Sequence, residues 1–278
     1  MSGILYVTGT PIGNLEDITL RQLRILQEVD FIIAEDTRVT RKLLTHFEIK
    51  NELVSYHEHS DSNTINYILD RIQSGENCAI VTDAGMPCIS DPGEEIVKLC
   101  YERNIPVQSV PSASAVITAL SISGGSTRQF VFYGFLPIDK KQRSGMLEEL
   151  KSETRTCVLY EAPHKLVKTI SDLYKVLGAE RKLSLCRELT KIHEEVIRLS
   201  LQEAVNYYEN HMPRGEYVLV LDGAEKLDNN KLNLDDAIAI AKVYISQGMT
   251  TTTAIKLSAK ETGIQKNLIY QAFHVGNS

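Results

Sequence analysis

Short apolar runs alternate with longer amphipathic segments in the first 122 residues of the chain. The apolar runs have strand length, and the segments between them repeat apolar residues at helical spacing. Five strands are predicted, at Ile4–Thr8, Phe31–Ala34, Leu53–Tyr56, Cys78–Thr82 and Val107–Val110. Helices are predicted at Thr19–Val29, Thr40–Phe47, Asn63–Ser74, Glu94–Arg103 and Ser114–Ile122. This β-α-β-α order predicts a mostly parallel sheet that is covered on both faces.

A segment of small residues at 123–127 is the best candidate for a domain boundary, and the order of elements changes beyond it. Strands are predicted at Phe130–Phe135, Thr156–Glu161, Leu183–Glu188, Glu195–Ser200 and Tyr217–Leu221. The fewer helices are predicted at Arg143–Lys151, Pro163–Leu177 and Leu201–Asn210. The third and fourth of these strands are joined by a short loop, which predicts antiparallel neighbours. We therefore predict an α/β domain over residues 1–124 and a mixed α/β domain over 125–224.

The rest of the chain, residues 225–278, is predicted to be a small helical module after a polar linker. Its helices are expected at Leu234–Gln247, Thr251–Thr262 and Gln265–Val275. The last two meet at Gly263 in a spacing that resembles a helix-turn-helix. A packing module or a dimerisation appendage explains the same pattern equally well, so the role of these helices stays open.

Composition limits the classes of protein that the chain can represent. It has 278 residues, of which 43% are hydrophobic and 24% charged, which suits a globular protein with a sizeable core. The net charge of −6 argues against a surface coated in basic residues but allows a local basic patch. From residue 226 onward, six Lys stand against four acids, and this local excess suits a tail that meets an anionic polymer.

The cysteines and the missing targeting signals predict a cytoplasmic protein without membrane association. None of the five cysteines forms a Cys-x-x-Cys pair, and most lie in apolar runs, which indicates buried free thiols in a reducing compartment. Neither a signal peptide nor an apolar run of membrane-spanning length is present. The fragment His57-Glu58-His59 resembles part of a metal site, but consecutive residues at a strand end point to opposite faces. We predict no metal.

Loops rich in Gly, Pro and polar residues follow several predicted strands at their carboxyl ends. The longest runs from Asp83 to Gly93, where Gly85 and Gly93 permit close backbone approach and two prolines stiffen the chain. Similar loops occupy residues 9–14, 34–38, 55–59, 111–115, 159–165 and 186–191. In open α/β sheets ligands bind at this edge, so the recurrence predicts a ligand cleft. The glycine spacing fits neither standard phosphate-binding loop. Individually, several of these residues, such as Thr37, Ser112 and Ser114, are ordinary helix-cap candidates.

Four of these loops together resemble the tetrapyrrole-methylase superfamily. They are Gly9-Thr10-Pro11-Ile12-Gly13-Asn14, Ala34-Glu35-Asp36-Thr37-Arg38, Asp83-Ala84-Gly85 with Ser90-Asp91-Pro92-Gly93, and Tyr160-Glu161-Ala162-Pro163-His164. The resemblance is greater to its bacterial members that methylate the ribose 2′-hydroxyl of a cytidine in the decoding region of small-subunit (16S) rRNA. It extends from about Ile4 to the C-terminal helices. One departure is Cys88, where we expect a glycine.

The resemblance implies a fold of two α/β domains with S-adenosyl-L-methionine folded into the cleft between them. It implies small-subunit rRNA as substrate, in the assembled 30S subunit, and a homodimeric enzyme. Carried over motif by motif, the cofactor-binding residues are Pro11, Asp83, Gly85, Met86, Ile89, Ser114, Ala115, Tyr160, Glu161, Leu189 and Glu216.

A ribose hydroxyl is a very weak acid, so a general base beside it should help the transfer. The sequence offers no unique candidate for this base. Glu35 and Asp36 come first, because two adjacent carboxylates at a strand end have no evident packing purpose. Glu58 with His57 comes second, and Glu161 with His164 third. An ion pair with Arg38 or Arg41 is an equally good explanation of the Glu35-Asp36 pair.

Basic residues near the predicted cleft are candidates for gripping RNA phosphates without reading sequence. They are Arg38, Arg41, Lys42, Lys165, Lys191 and Lys266. A solvated surface charge is the ordinary alternative for each.

Two rival functions remain at this point. A tetrapyrrole (precorrin-type) carbon methyltransferase would use the same scaffold, but the C-terminal module and the Glu35-Asp36-Thr37-Arg38 motif argue against it. A non-enzymatic nucleic-acid-binding protein would use the terminal helices, but it would not need so many polar cleft loops.

Overall fold

Five parallel strands form the first sheet of the protein, in the order β3-β2-β4-β1-β5. In this computed structural model, residues 2–57, 60–225 and 234–275 are described, without the side chains of 274 and 275. The strands are β1 (Leu5–Thr8), β2 (Phe31–Ala34), β3 (Glu52–Ser55), β4 (Cys78–Val81) and β5 (Val107–Val110). The neighbouring strands β4 and β1 lie at the centre, and the chain leaves β1 toward β2 but leaves β4 toward β5, so these two crossovers run in opposite directions. Ligands of such sheets bind where the order reverses, at the carboxyl ends of the strands.

Side chains cap the first three of the five described helices in the first half. They are α1 (Leu20–Glu28), α2 (Thr37–His46), α3 (Ser62–Gln73), α4 (Glu94–Glu102) and α5 (Ala115–Ile122), with a short 3-10 turn at Leu15–Asp17. Thr19 and Gln22 form a reciprocal capping box at α1. The predicted start of α2 at Thr40 is wrong by three residues, and its cap is Asp36 rather than Thr37. The Asp36 carboxylate accepts the Arg38 backbone N–H at 2.8 Å, which lets the helix begin at once after β2.

The second half forms a mixed sheet in the order β6-β7-β10-β8-β9. Its strands are β6 (Phe130–Phe135), β7 (Thr156–Glu161), β8 (Lys182–Arg187), β9 (Glu195–Ser200) and β10 (Tyr217–Leu221). Strands β6 and β7 are parallel, and the other neighbours are antiparallel, which confirms the predicted pairing of β8 with β9. The helices are α6 (Lys140–Ser152), α7 (Pro163–Leu177) and α8 (Leu201–Asn210).

Both sheets belong to one compact unit, Met1–Ala224, and a shared apolar cluster joins them. Helix α5 of the first half packs on β10 of the second sheet. Val116, Ala119 and Leu120 on this helix meet Val218 and Val220 on the strand. Burial of each larger apolar side chain contributes roughly 1.5–3 kcal/mol, so this packing holds the two sheets at either side of a cleft. The domain boundary at 124/125 stays a prediction.

The second compact unit, Glu225–Ser278, contains three helices in its described part. They are α9 (Leu234–Ser246), α10 (Thr251–Thr262) and α11 (Lys266–Val275). Ala237, Ala241, Ile255 and Ile269 form their buried core. Helix α10 ends at Gly263, which has the left-handed conformation that permits a sharp turn into α11. The helix-turn-helix interpretation of this pair stays a prediction.

The predicted α/β class, with a parallel first sheet and a mixed second sheet, is confirmed. Four of the five cysteines are buried, Cys88 is half-buried, and all five are unpaired. Across the described ranges, no helix is both long and apolar enough to cross a bilayer. Over the same residues, no three His, Cys, Asp or Glu side chains are grouped to hold a metal ion; Glu58 and His59 of the metal-like fragment lie outside them.

Candidate active site

The loops that follow β1 and β4 are bonded to each other at the carboxyl edge of the first sheet. Thr10 and Gly85 exchange two backbone hydrogen bonds, of 2.8 and 3.1 Å. The Thr10 hydroxyl donates to the Thr82 carbonyl at 3.0 Å, and the Ser112 hydroxyl, from the loop after β5, donates to the Thr10 carbonyl at 3.0 Å. Three strand-end loops are thus fixed in one layer, and Ser112 has this role instead of capping a helix.

The loop from Asp83 to Gly93 needs unusual backbone conformations. Gly85 has a φ of +87°, Cys88 of +69°, Ser90 of +63° and Gly93 of +134°. Left-handed non-glycine residues are uncommon and cost free energy, and they concentrate at functional sites. The φ of Cys88 gives the physical reason for expecting a glycine there.

A cavity of about 540 Å³ lies between this loop layer and the second sheet. Ten of the eleven predicted cofactor-binding residues line it, and Pro11 is the exception. Pro11 is buried, and its neighbour Ile12 is on the cavity wall instead. The first half contributes Asp83, Gly85, Met86, Ile89, Ser114 and Ala115, and the second half contributes Tyr160, Glu161, Leu189 and Glu216.

The described charged side chains that line this cavity are all acidic. Asp83, Asp91, Glu161 and Glu216 line it, whereas its described lining includes no Lys, Arg or His. Burial raises the pKa of Asp83 and of Asp91, and an acidic neighbour raises each of these pKa values further. Burial also raises the pKa of the Tyr160 hydroxyl to about 12, so this group is a neutral donor. The cavity therefore favours a ligand with positive charge and disfavours a polyphosphate.

A second cavity of about 650 Å³ adjoins the first. Ser90 and Asp91 line both cavities. The other residues around the second cavity are Glu35, Tyr56, Cys88, Pro92, Gly93, Glu94, Glu95 and Lys98. Two adjoining cavities, one of them lined by ten of the predicted cofactor-binding residues, suit an enzyme that brings two ligands together.

The predicted base candidates occupy different surroundings. Glu35 is exposed and lines the second cavity. Asp36 caps α2 and forms an ion pair with Arg38 at 2.7 Å, and Arg38 holds the pKa of the Asp36 carboxyl well below its usual range. The structure thus gives Asp36 the ion-pair role that the sequence offered as the alternative.

Glu161 is buried at the end of β7, and both of its carboxylate oxygens are engaged. One oxygen accepts the Ala162 backbone N–H at 2.9 Å, and the other accepts the Thr169 hydroxyl. Arg143 donates in turn to Thr169 at 2.8 Å and pairs with Asp172. This arrangement fixes Glu161 as a wall of the first cavity. The remaining candidate, Glu58, lies outside the described residues, and its neighbour His57 is exposed.

Three of the predicted RNA-binding residues share one face of α2. Arg38, Arg41 and Lys42 line a shallow groove together with Thr45 and His46. All five residues are exposed, so this basic face is open to solvent. It begins shortly after Glu35, which lines the second cavity.

The other three predicted RNA-binding residues differ from one another in pairing and exposure. Lys191 pairs with Glu188 and Glu216, both at 2.9 Å, so neighbouring carboxylates already balance its charge. Lys165 is half-buried in the first turn of α7. Lys266 is exposed at the start of α11.

The family model for Tetrapyrrole (Corrin/Porphyrin) Methylases matches residues 4–205 of the chain. The chain belongs to this tetrapyrrole methylase family. The match covers both sheets except for β10, and it confirms the predicted family.

Close relatives of this tetrapyrrole methylase match it along nearly the whole chain. The chain is 45% identical to Ribosomal RNA small subunit methyltransferase I of Synechocystis sp., over 97% of this chain and 96% of that protein. It is 44% identical to the protein of the same name from Halalkalibacterium halodurans, over 98% and 95%. Uroporphyrin-III C-methyl transferase from Thermus thermophilus, solved with S-adenyl homocysteine, aligns with a TM-score of 0.56 at 17% identity, over 79% of this chain and 97% of that one. At this identity the likeness shows the fold alone, and that fold is the predicted one.

Several wall residues of this tetrapyrrole methylase were not predicted. They are Ile12, Ala84, Ser90, Asp91, Phe135, Ala162, Pro163, Cys186, Tyr217 and Val218. Most are neighbours of predicted residues on the same loops, and that adjacency was the available signal. Phe135, Tyr217 and Val218 come from strands β6 and β10, where a continuous apolar run does not reveal which face borders the cavity.

Proposed function

We propose that the protein transfers a methyl group from S-adenosyl-L-methionine to the ribose 2′-hydroxyl of a cytidine in small-subunit rRNA near the decoding centre. The observation that carries the rRNA assignment is the 45% identity, over 97% of the chain, to a protein named Ribosomal RNA small subunit methyltransferase I. The proposal also includes the specific ribose, the assembled 30S subunit as substrate, a homodimeric enzyme and a cytoplasmic location. These four points rest on the sequence.

The first cavity suits S-adenosylmethionine in size and charge. Its volume of about 540 Å³ is within the range of ~300–1,000 Å³ for small-molecule sites. At neutral pH the molecule carries a sulfonium and an ammonium group against a single carboxylate. Of the four described wall carboxylates, Glu216 is paired with Lys191, and those of Asp83, Asp91 and Glu161 complement that excess of positive charge. The family and the Thermus neighbour solved with S-adenyl homocysteine further support this cofactor.

When bound, S-adenosylmethionine supplies a methyl group that its sulfonium makes electrophilic. The chain's residues must hold the acceptor oxygen in line with the methyl carbon and the sulfur. Positioning of this kind can lower a barrier by ~7–11 kcal/mol. Here the Thr10–Gly85 bridge fixes the loops on one side of the cavity, and the packed strand β7 fixes Tyr160 and Glu161 on the other. The walls are therefore held in place by the protein's own bonds and packing.

The second cavity and the α2 face support an RNA acceptor. In the described part of the chain, four carboxylates and one cation, that of Lys98, line the second cavity, so it is acidic. This suits an uncharged nucleoside and repels the several carboxylates of a tetrapyrrole intermediate. The phosphates of the same RNA would meet Arg38, Arg41 and Lys42 on the adjoining face. The acidic cavity is thus our reason for ranking the tetrapyrrole acceptor second.

Methyl transfer to competing acceptors tests the proposal. The protein is incubated with methyl-labelled S-adenosylmethionine and, separately, with unmodified small ribosomal subunits, naked small-subunit rRNA and a precorrin-type tetrapyrrole. We expect label in the subunits and none in the tetrapyrrole. Label in the tetrapyrrole alone would overturn the acceptor. Failure to bind S-adenosylmethionine in a calorimetric titration would overturn the enzyme assignment as a whole.

A further inference from the structure

The two cavities share a single titratable side chain among the described residues, that of Asp91. Ser90, beside it, also lines both. A group that removes a proton from the acceptor must reach the acceptor and the reacting centre together. Glu35 lines only the second cavity and Glu161 only the first, so Asp91 meets this geometric requirement where they do not.

Asp91 is held in this place by the strand that begins the loop. The Thr82 hydroxyl, which is buried directly after β4, donates to Asp91 Oδ1 at 2.9 Å. The left-handed residues Cys88 and Ser90 fold the loop back so that Asp91 returns to the strand end. Asp91 is half-buried there, with both cavities beside it.

The charged and titratable surroundings of Asp91 come from several elements. Asp83 and Cys88 lie on its own loop, Glu94, Glu95 and Lys98 on α4, Glu35 and Tyr56 at the ends of β2 and β3, and Tyr160 and Glu161 on β7. Burial raises the pKa of Asp91, and the charge of Asp83 raises it further, against the hydrogen bond from Thr82. A carboxylate in such surroundings is a stronger base than one in water.

We propose that Asp91 is the general base that accepts the proton of the ribose 2′-hydroxyl, and that Thr82 is the residue that positions it. This inference rests on the proposed methyl transfer. As the O–H bond breaks, its proton passes to Asp91, and its electron pair forms the new bond from oxygen to the methyl carbon. The bond from sulfur to that carbon breaks and its pair stays on sulfur, which leaves neutral S-adenosylhomocysteine. The protonated Asp91 then releases its proton to solvent.

Asp91→Asn is the direct test, because asparagine keeps an oxygen that can accept from Thr82 but is not a base. We expect single-turnover methyl transfer to fall by ~10²–10⁴-fold, the usual contribution of a general base. The affinities for S-adenosylhomocysteine and for unmodified small subunits, measured by calorimetry and filter binding, should change less than about threefold. Glu102→Gln is the matched control, since Glu102 is an exposed carboxylate at the end of α4 that lines neither cavity, and it should retain the rate.

The pH dependence of the rate in Thr82→Val is a second readout. It should stay unchanged if the role of Asp91 is purely structural. Without the donated hydrogen bond, the pKa of Asp91 rises, so the rate should increase with pH around a higher midpoint than in the unaltered protein. Thr82→Ser should restore the original midpoint. This comparison also tests the role of Asp91 if Asp91→Asn fails to fold.

The outcomes separate the two proposals. An unaltered protein that binds S-adenosylmethionine but labels no RNA contradicts the proposed function. An active unaltered protein with Asp91→Asn above a third of its rate overturns the role of Asp91. Equal losses in Asp91→Asn and Glu102→Gln, or an unmoved midpoint in Thr82→Val, also overturn it.

Discussion

Gly85 faces Ile12 across the wall of the first cavity: a β-carbon on Gly85 would lie 3.5 Å from Ile12 Cγ2. That is an ordinary van der Waals distance, so space alone does not require a glycine here. The requirement comes from the backbone, because Gly85 has a φ of +87° while it forms both hydrogen bonds with Thr10.

Gly85→Ala should therefore destabilise the protein by ~1–2 kcal/mol through backbone strain. It should also weaken S-adenosylhomocysteine binding, because any relaxation of the strain moves the cavity wall. Chemical denaturation and calorimetry measure the two effects. Gly145→Ala is the control: Gly145 is inside α6 with nothing within 4 Å of an added β-carbon. That change should stabilise by ~0.5–1 kcal/mol. A Gly85→Ala protein as stable as the parent would show that the backbone is not strained there.

At Cys88 a glycine replacement should be more stable than an alanine replacement, which is the reverse of the order inside a helix. Both replacements remove the same sulfur, but only glycine accepts the φ of +69° without strain. We expect Cys88→Gly to be more stable than Cys88→Ala by ~1 kcal/mol in denaturant unfolding. At Cys100, within α4, glycine should instead be the less stable replacement. Equal stability of the two Cys88 variants would show that the loop relaxes.

Asp36→Asn separates the capping role of Asp36 from a base role. The Arg38 side chain, followed by its backbone N–H, lowers the pKa of Asp36. In acid the unfolded chain then binds the proton more readily, so this carboxylate stabilises the fold above its ordinary pKa of ~4 and stops doing so as the pH falls. The melting temperature of Asp36→Asn should be below that of the parent at pH 7, and the difference should shrink toward pH ~2.

The methyl-transfer rate of Asp36→Asn tests whether Asp36 has the base role. Asparagine remains a good helix cap, so we expect Asp36→Asn to retain cofactor binding and most of its methyl-transfer rate. A large loss of rate with unchanged cofactor affinity would instead make Asp36 the base and would count against Asp91.

The basic face of α2 should act through phosphates alone. Arg41→Ala combined with Lys42→Ala should weaken RNA binding similarly for different sequences. The slope of log K against log salt should fall by ~2, about one for each phosphate that the protein no longer neutralises. Cofactor affinity should not change.

Arg24→Ala with Lys151→Ala is the control for the α2 variant, because these exposed residues already pair with Glu28 and Glu148. Their replacement should leave the salt slope of RNA binding as it is in the parent. An unchanged salt slope in the α2 variant itself would exclude this face as the phosphate grip.

The helices and strands were predictable from the sequence because, in most of them, the hydrophobic pattern and the capping residues indicate the same bounds. The bounds of β2, β5, β6, β7 and α7 match the prediction, since clear apolar runs end at polar or Pro-containing loops. Helix α6 begins at Lys140, three residues before its predicted start. Asp139 caps it by accepting two backbone N–H groups, while the apolar repeat starts only near Met146.

The first cavity was predictable as a cleft, and the family motifs named ten of its twenty described wall residues. The place of Asp91 was not, although the residue lies in one of those motifs. Its position depends on the fold-back at Cys88 and Ser90 and on a bond to Thr82, which is nine residues away. Periodicity carries no information on such a pair, because neither helix nor strand spacing brings these two residues together.

The identity of the methylated nucleoside tests the proposed function most directly. Small ribosomal subunits that lack the modification are incubated with the protein and methyl-labelled S-adenosylmethionine, and their RNA is digested to nucleosides for mass analysis. We expect a single labelled product, 2′-O-methylcytidine, from one position near the decoding centre. Label on a base, or on riboses at many positions, would rule out the proposed site of transfer.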